Sequence, residues 1–461
     1  MSDSPGPTLV WLRNDLRLSD NPALTAAVER GEPVAIVYVL EEAGQGIRPL
    51  GAAARWWLHH SLESLAASLA SIGGSLLLRR GDASEEIPLL VEELGASAVF
   101  WNRRYGASRD LDAGLKSSLR ERGLDVQSFQ ANLMFEPWTV STAEGNPYRV
   151  FTPFWRACLE RGPAREPLDA PNAITGTADA TSDDLASWQL LPTHPDWAGG
   201  LREWCEPGED KAHEKLEDFV DGPLEDYHRR DEPGLEATSG LSPYLRFGEI
   251  SPLQVWHRLQ QKLSPAASKN AAKFLSEVGW REFNWNILFH FPALATDNYR
   301  AEFDAFGWGD INERELDAWK SGHTGIPLVD AGMRELWHSG TMHNRVRMVT
   351  ASFLIKNLLV DWRVGEQWFW DTLVDADEAS NPGNWQWVAG SGADAAPYFR
   401  VFNPVLQADK FDPQRRYIRR WVPEFDTDEY PAPIVDLAQS RKDALAAYDA
   451  VKAQKANGRE A

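Results

Sequence analysis

"TLVWLRNDLRLSDNPALTAAVERGEPVAIVYVL", residues 8–40, sets two apolar runs, "TLVWLR" and "PVAIVYVL", on either side of a polar, helix-like stretch. Apolar runs of this length without alternation read as strands buried on both faces. The pattern recurs in "SLLLRR" (75–80), "SAVFWN" (97–102) and "DVQSFQ" (125–130), with amphipathic segments such as "GAAARWWLHHSLESLAASLASI" (51–72) between them. Strands alternating with helices predict a doubly wound, parallel α/β sheet with right-handed crossovers over residues 1–130. No GxGxxG follows the first strand, which argues against a dinucleotide site of the NAD kind.

Residues 131–200 read as an inter-domain connector, most clearly in "RGPAREPLDAPNAITGTADATSDDLASW" (161–188), rich in Pro, Ala, Thr and Asp and without periodicity. From 201 to 461 the pattern is mostly helical, as in "NAAKFLSEVGWREFNWNILFHF" (270–291) and "NRVRMVTASFLIKNLLVDW" (344–362). The expected architecture is an N-terminal α/β domain and a larger all-helical one.

The length of 461 residues suits two or three domains, and 43% hydrophobic with 25% charged residues suits a globular chain. No signal-peptide pattern and no apolar run of about 18 residues occurs, so a soluble, cytoplasmic monomer is expected. Cys158 and Cys205 have no CxxC spacing and form neither a disulfide framework nor a zinc site. The net charge of -21 argues against a nucleic-acid partner at first sight. Residues 320–421 are nearly balanced, however, and "RRYIRRW" clusters Arg415, Arg416, Arg419 and Arg420. The 21 tryptophans are an unusual load, so position must separate core rings from working ones.

Several stretches carry chemistry. In "EVGWREF", Glu277, Trp280 and Arg281 stand at i, i+3 and i+4, and in "MHNRVRM" Asn344, Arg347 and Met348 repeat that spacing. Charged groups on such faces are rarely buried unless paired or bound to something. "DADEASN" adds Asp375 and Asp377, which could pair with Arg281 or Arg347, and Asn381. A DxD pair could also hold Mg²⁺, but no second acidic cluster supports one and no metal is expected. "TSGLS", from Thr238 through Ser239, Gly240 and Leu241 to Ser242, offers hydroxyls and closely spaced N–H groups before a helical stretch, which suits a diphosphate. "NWQW" places Trp385 and Trp387 two positions apart, so their rings face different surroundings.

In order along the chain, "WLRNDLRLSDNPAL", "TSGLSPYL", "GWREF", "TGIPLVDAGMREL", "MHNRVRM" and "DADEASN…NWQWVAGSGADAAPYFRVFNP" resemble the photolyase/cryptochrome family, over essentially the whole chain. The resemblance implies an α/β antenna domain, a helical domain holding U-shaped FAD, and blue-light-driven electron transfer. It implies that Thr238 to Ser242 clamp the FAD diphosphate with Tyr227 nearby, and that Phe274, Arg281 and Asn344 join the flavin pocket. Arg347 and Asp375 would pair beside the isoalloxazine, Asp377 would meet its polar edge, and Asn381 would stand by N5. Trp385, Trp362 and Trp308 resemble the chain that reduces the flavin.

The resemblance further implies repair of cyclobutane pyrimidine dimers in UV-damaged DNA. A protonated Glu277 would hydrogen-bond the thymine carbonyls, Trp280 and Trp387 would grip the flipped dimer, and Asn344 with Met348 would contact it. Histidines at the positions of Asn344 and Met348 go with (6-4) photoproduct repair and are absent. Arg230, Arg345, Arg400 and Gln407 match positions that contact the DNA backbone. The alternatives are a cryptochrome-like photoreceptor without repair, against which Asn381 stands, or a light-independent FAD protein. A methenyltetrahydrofolate antenna is favoured over a deazaflavin or none; "GAAARWWLHH" is compatible with a folate stacking on Trp57, and inter-domain packing of Trp56 and Trp57 is an equal alternative.

Overall fold

The computed structural model describes residues 6–457 apart from 43, 45, 178–179, 262 and 396–398. Strands β1 (Thr8–Leu12), β2 (Val34–Leu40), β3 (Leu76–Arg80), β4 (Ala98–Asn102) and β5 (Asp125–Phe129) form one sheet in the order β3-β2-β1-β4-β5, every pair parallel. All five coincide with the apolar runs of the sequence. Val10 aligns with Ile36 and Phe100 and packs with them toward helices α1 (Pro22–Glu29) and α2 (Ala52–Ser71). Their neighbours Trp11, Val37 and Trp101 point the other way, against α3 (Ala83–Leu94) and α4 (Arg109–Glu121). Both faces are covered, so period 2 is masked by apolar residues throughout.

Beyond the sheet come α5 (Phe151–Arg161), α6 (Gly199–Trp204), α7 (Glu209–Asp221), α8 (Ser242–Phe247), α9 (Pro252–Gln260) and α10 (Pro265–His290). Then follow α11 (Glu313–Ser321), α12 (Pro327–Ser339), α13 (Asn344–Ser352), α14 (Trp362–Thr372), α15 (Ser380–Ala389), α16 (Pro404–Phe411), α17 (Arg416–Trp421) and α18 (Leu437–Asn457). Several starts are written locally. Ser251 before Pro252 makes a full capping box with Gln254, and Ser264 and Asn403 cap the helices that Pro265 and Pro404 open. The 26-residue α10 is buried around most of its girth and forms the axis of the helical part. Inside the segment expected to connect the domains, α5 packs on α10, with Phe151 stacked on Trp280 at 4.0 Å between ring centroids. Val34 N–H bonds the Thr175 carbonyl, so this segment also runs along the sheet.

Trp57 is 2% exposed and stacks on Phe247, with Tyr244 edge-on, both from α8. Its indole N–H donates to Glu249 at 3.0 Å. The ring is therefore inter-domain packing, the alternative to a folate platform. Glu249 also accepts from Ser61 Oγ at 2.5 Å and Gly208 N–H at 2.7 Å. Burial pushes its carboxyl up to about 8, against these three donors, which act to lower it. The folded state keeps a proton that the unfolded chain has lost. Glu249 thus contributes stability that is full below the ordinary carboxylate range and is lost as pH rises through about 8. Glu249→Gln, permanently neutral, should flatten the fall in melting temperature between about pH 5 and about pH 9. An unchanged slope would place that proton elsewhere.

Candidate functional site

The loop before α8 exposes Thr238, Gly240 and Ser242, while Ala237 and Leu241 beside them are buried. Gly240 sits at φ +65°, a left-handed conformation that favours glycine. Ser239 Oγ accepts the Leu241 N–H at 3.3 Å and braces the turn. Ser242 Oγ donates to Asp375 at 2.6 Å, and Arg347 grips the same carboxylate through both terminal nitrogens at 3.1 and 2.8 Å. Asp375 therefore ties the loop to α13. Tyr227 and Phe274 pack edge-on near this loop's helix, their rings 5.3 Å apart and both buried.

Of the two arginines read as partners for Asp375 or Asp377, only Arg347 meets one. Arg281 donates to the carbonyls of Asn132 at 2.9 Å and Leu245 at 3.4 Å and lies 3.4 Å from Glu282. Asp377 accepts the N–H groups of Ala379 and Ser380 at the start of α15. That anchors the helix carrying Asn381, Trp385 and Trp387.

Glu277 and Trp280 leave α10 toward another cluster. Glu277 accepts from Arg230 at 2.9 Å and Lys273 at 3.0 Å. The carboxyl expected as a proton donor to substrate is here an acceptor for two cations, and Arg230, expected on the DNA backbone, is turned inward. His343 connects this cluster to α13. Burial pushes its imidazole down to about 4, so the ring is neutral. Its Nδ1 accepts the Arg345 N–H at 3.2 Å, leaving Nε2–H to donate to the Arg230 carbonyl at 2.9 Å. One neutral histidine thus holds Arg230 against the helix that presents exposed Asn344 and half-buried Met348.

Helices α14 and α15 carry the tryptophans. Trp385 is 3% exposed, its ring against Phe369 at 4.9 Å and Trp319 at 6.4 Å. Trp362 is fully buried with its N–H on Asn298 at 3.0 Å. Trp308 is half-buried against Phe306 and packs on the same apolar cluster. Trp387, two positions from Trp385, is half-buried. Asn381 donates its amide to the Glu366 carbonyl and carboxylate at 3.0 and 2.8 Å. Glu366 in turn receives Arg48, from the sheet domain, at 2.7 and 2.8 Å. Glu366 and Arg48 carry no motif and were not legible in the sequence; His343 lies within "MHNRVRM", but its role was not legible.

The outer residues are partly engaged. Arg345 pairs with Asp231 at 2.8 Å and lies over Phe411, Gln407 has a buried Oε1 without a hydrogen-bond partner, and Arg400 is exposed. The four-arginine cluster is also partly neutralised, Arg415 by Asp409 and Arg419 by Asp426.

Residues 8–172 match the DNA photolyase family model, and residues 274–429 match that of the FAD binding domain of DNA photolyase. A deoxyribodipyrimidine photo-lyase of Agrobacterium fabrum is 50% identical, the alignment covering 98% of this chain and 99% of the relative. The chain belongs to the photolyase/cryptochrome family. A crystal structure of a bacterial class III photolyase from Agrobacterium tumefaciens superposes with a TM-score of 0.94 at 50% identity, over 98% of this chain and 99% of that one. Cryptochrome-1 of Arabidopsis thaliana is 37% identical over 91% of this chain and 63% of its own length. The near-full-length match to a deoxyribodipyrimidine photo-lyase, with the family-model match, identifies a DNA photo-lyase, and the second family model identifies an FAD-binding helical domain. The exposed hydroxyl-bearing residues Thr238 and Ser242 on a glycine turn, tied through Asp375 to Arg347, fit the diphosphate of FAD. Among the described residues no helix is long and apolar enough to cross a membrane.

A cavity lies where the carboxyl ends of β1, β2 and β4 face the helical domain, the usual ligand crevice of a doubly wound sheet. Arg13, Arg104, Arg246, Arg281, Asp377 and Glu378 are among its lining residues. Arg281 and Asp377 are the two sequence-predicted flavin-pocket residues that line this cavity.

Proposed function

We propose that the protein repairs cyclobutane pyrimidine dimers in DNA under blue light. The observation that carries this reading is the Glu277–Arg230–His343 connection, which brings the α10 pair Glu277 and Trp280 together with the start of α13, where Asn344 and Met348 stand. When bound, reduced FAD supplies one electron on excitation. The chain's own groups do the rest. A dimer weakens base stacking, so turning it out of the duplex costs less than turning out normal bases, and Trp280 and Trp387 offer aromatic walls to receive it. Trp280 is already held flat against Phe151, so little freedom is lost when a lesion packs on it. Glu277, in its protonated form, gives up part of its contact with Arg230 and Lys273 and donates a hydrogen bond to the thymine carbonyls. The two cations then stand beside the oxygens on which negative charge develops, as preorganised electrostatic stabilisation requires.

Asn381, fixed by Glu366, and the Arg347–Asp375 pair line the flavin side, while Trp385, Trp362 and Trp308 form the route by which the flavin is reduced. Arg345, Arg400 and Gln407 contact the DNA backbone. The arginine-lined cavity takes the antenna, for which methenyltetrahydrofolate is preferred over a deazaflavin. The protein works as a cytoplasmic monomer. The similarity to Cryptochrome-1 supports a second reading, a photoreceptor without repair.

The test compares oligonucleotides carrying a thymine dimer or a (6-4) photoproduct, each under blue light. Wild type should repair the dimer only. Glu277→Ala should lose about 10- to 100-fold in repair yield with its flavin absorbance intact. Repair of the (6-4) lesion, or full activity in Glu277→Ala, would overturn the assignment.

A further inference from the structure

Lys215, on α7, lies against the glycine of the Thr238–Ser242 loop. A Cβ placed on Gly240 would come 2.9 Å from Lys215 Cε and 3.8 Å from its Nζ. With Gly240 at φ +65°, the turn leaves a gap over its Cα, and the lysine stem fills it. The Lys215 ammonium has no hydrogen-bond or carboxylate partner among the described residues. Its own helix is acidic: Glu214 is engaged by Lys211 at 2.7 Å and Glu217 by Arg258 at 2.7 Å, and Asp218, at i+3, does not pair with Lys215.

The other cations near the loop are also committed. Arg347 is held by Asp375, and Arg246 donates to the Ala376 carbonyl at 2.7 Å and Asn14 at 3.0 Å. The loop offers N–H and hydroxyl donors but no charge of its own to offset a diphosphate. A lysine ammonium on a flexible stem is a compact point charge suited to phosphate. We infer that Lys215 is a phosphate-recognition residue, closing over the loop from outside and supplying the positive charge of the FAD diphosphate clamp. This rests on the reading of Thr238–Ser242 as that clamp. The step is binding, with no covalent chemistry.

The test follows release of FAD from the purified, FAD-loaded full chain by the rise in flavin fluorescence, for wild type, Lys215→Met and Lys215→Arg. Lys215→Met should release FAD roughly fivefold faster at low ionic strength, the difference shrinking in high salt, and Lys215→Arg should stay near wild type. Phosphorus NMR of the bound FAD should show a shifted diphosphate resonance in Lys215→Met only. Equal release rates at low salt, or a salt-independent difference with unchanged phosphorus resonances, would overturn the assignment of Lys215. Loss of the reading beneath it looks different: a wild-type chain whose bound flavin shows no phosphorus shift on binding would remove the loop as the clamp.

Discussion

Trp385→Phe should abolish light-driven reduction of the bound flavin, down to the level of an unilluminated sample, while chemically reduced protein still repairs a thymine dimer. The Trp385 ring lies so close to α14 that a Cβ on Gly365 would stand 2.2 Å from its Cη2, so the indole is fixed in one orientation. It sits on the same helix as Asn381, four residues on, on the side expected to face the flavin. Phe fills most of the same space but is far harder to oxidise than an indole. The volume lost costs about 1–2 kcal/mol in a core of this kind, too little to unfold the helix. Trp362, the next member of the route that reduces the flavin, is buried with its indole N–H on Asn298. Trp362→Phe should slow photoreduction with flavin content unchanged. Transient absorption at the flavin bands checks both, and normal photoreduction in Trp385→Phe would remove it as the first donor.

Asp375→Ala should give protein largely free of flavin and less stable by about 3 kcal/mol. The carboxylate side chain is 3% exposed and serves three donors, two from Arg347 and one from Ser242. Its removal leaves a guanidinium that is mostly out of water, 27% exposed, without its counter-charge. It also releases Ser242, so the loop before α8 loses its tether to α13. Flavin-to-protein absorbance ratio and urea unfolding are the measurements. Asp375→Asn keeps the shape and one acceptor oxygen, and it should fall between wild type and Asp375→Ala. Full flavin content in Asp375→Ala would show that the ion pair is a structural brace with no part in the cofactor site.

The sheet was legible because its strands are buried on both faces, so each appears as an unbroken apolar run bounded by polar residues. The mixed faces at Glu277 and Arg347 were legible for the opposite reason, since charge at helical spacing on a buried element needs a partner. What the spacing did not show is which partner. Arg281 was open to Asp375 or Asp377 and instead meets two backbone carbonyls brought in by distant segments. The Arg48–Glu366–Asn381 series joins residues 318 apart in sequence, beyond any local pattern. Trp57 stayed open between two readings because an indole that stacks on a ligand and one that stacks on Phe247 have the same sequence. The burial that separates them comes from Glu249, 192 residues away. His343 stands next to Asn344, and only the geometry shows that its work is to hold Arg230.

The central claim is that the reduced flavin held by this helical domain drives dimer splitting with no net redox change. The most direct measurement incubates the purified, reduced protein with a thymine-dimer oligonucleotide under blue light and in the dark. It follows restored thymine absorbance together with the flavin spectrum. The expected result is restoration in the light only, over many turnovers, with the flavin still reduced at the end. No restoration from protein whose flavin is bound and reduced would contradict the claim.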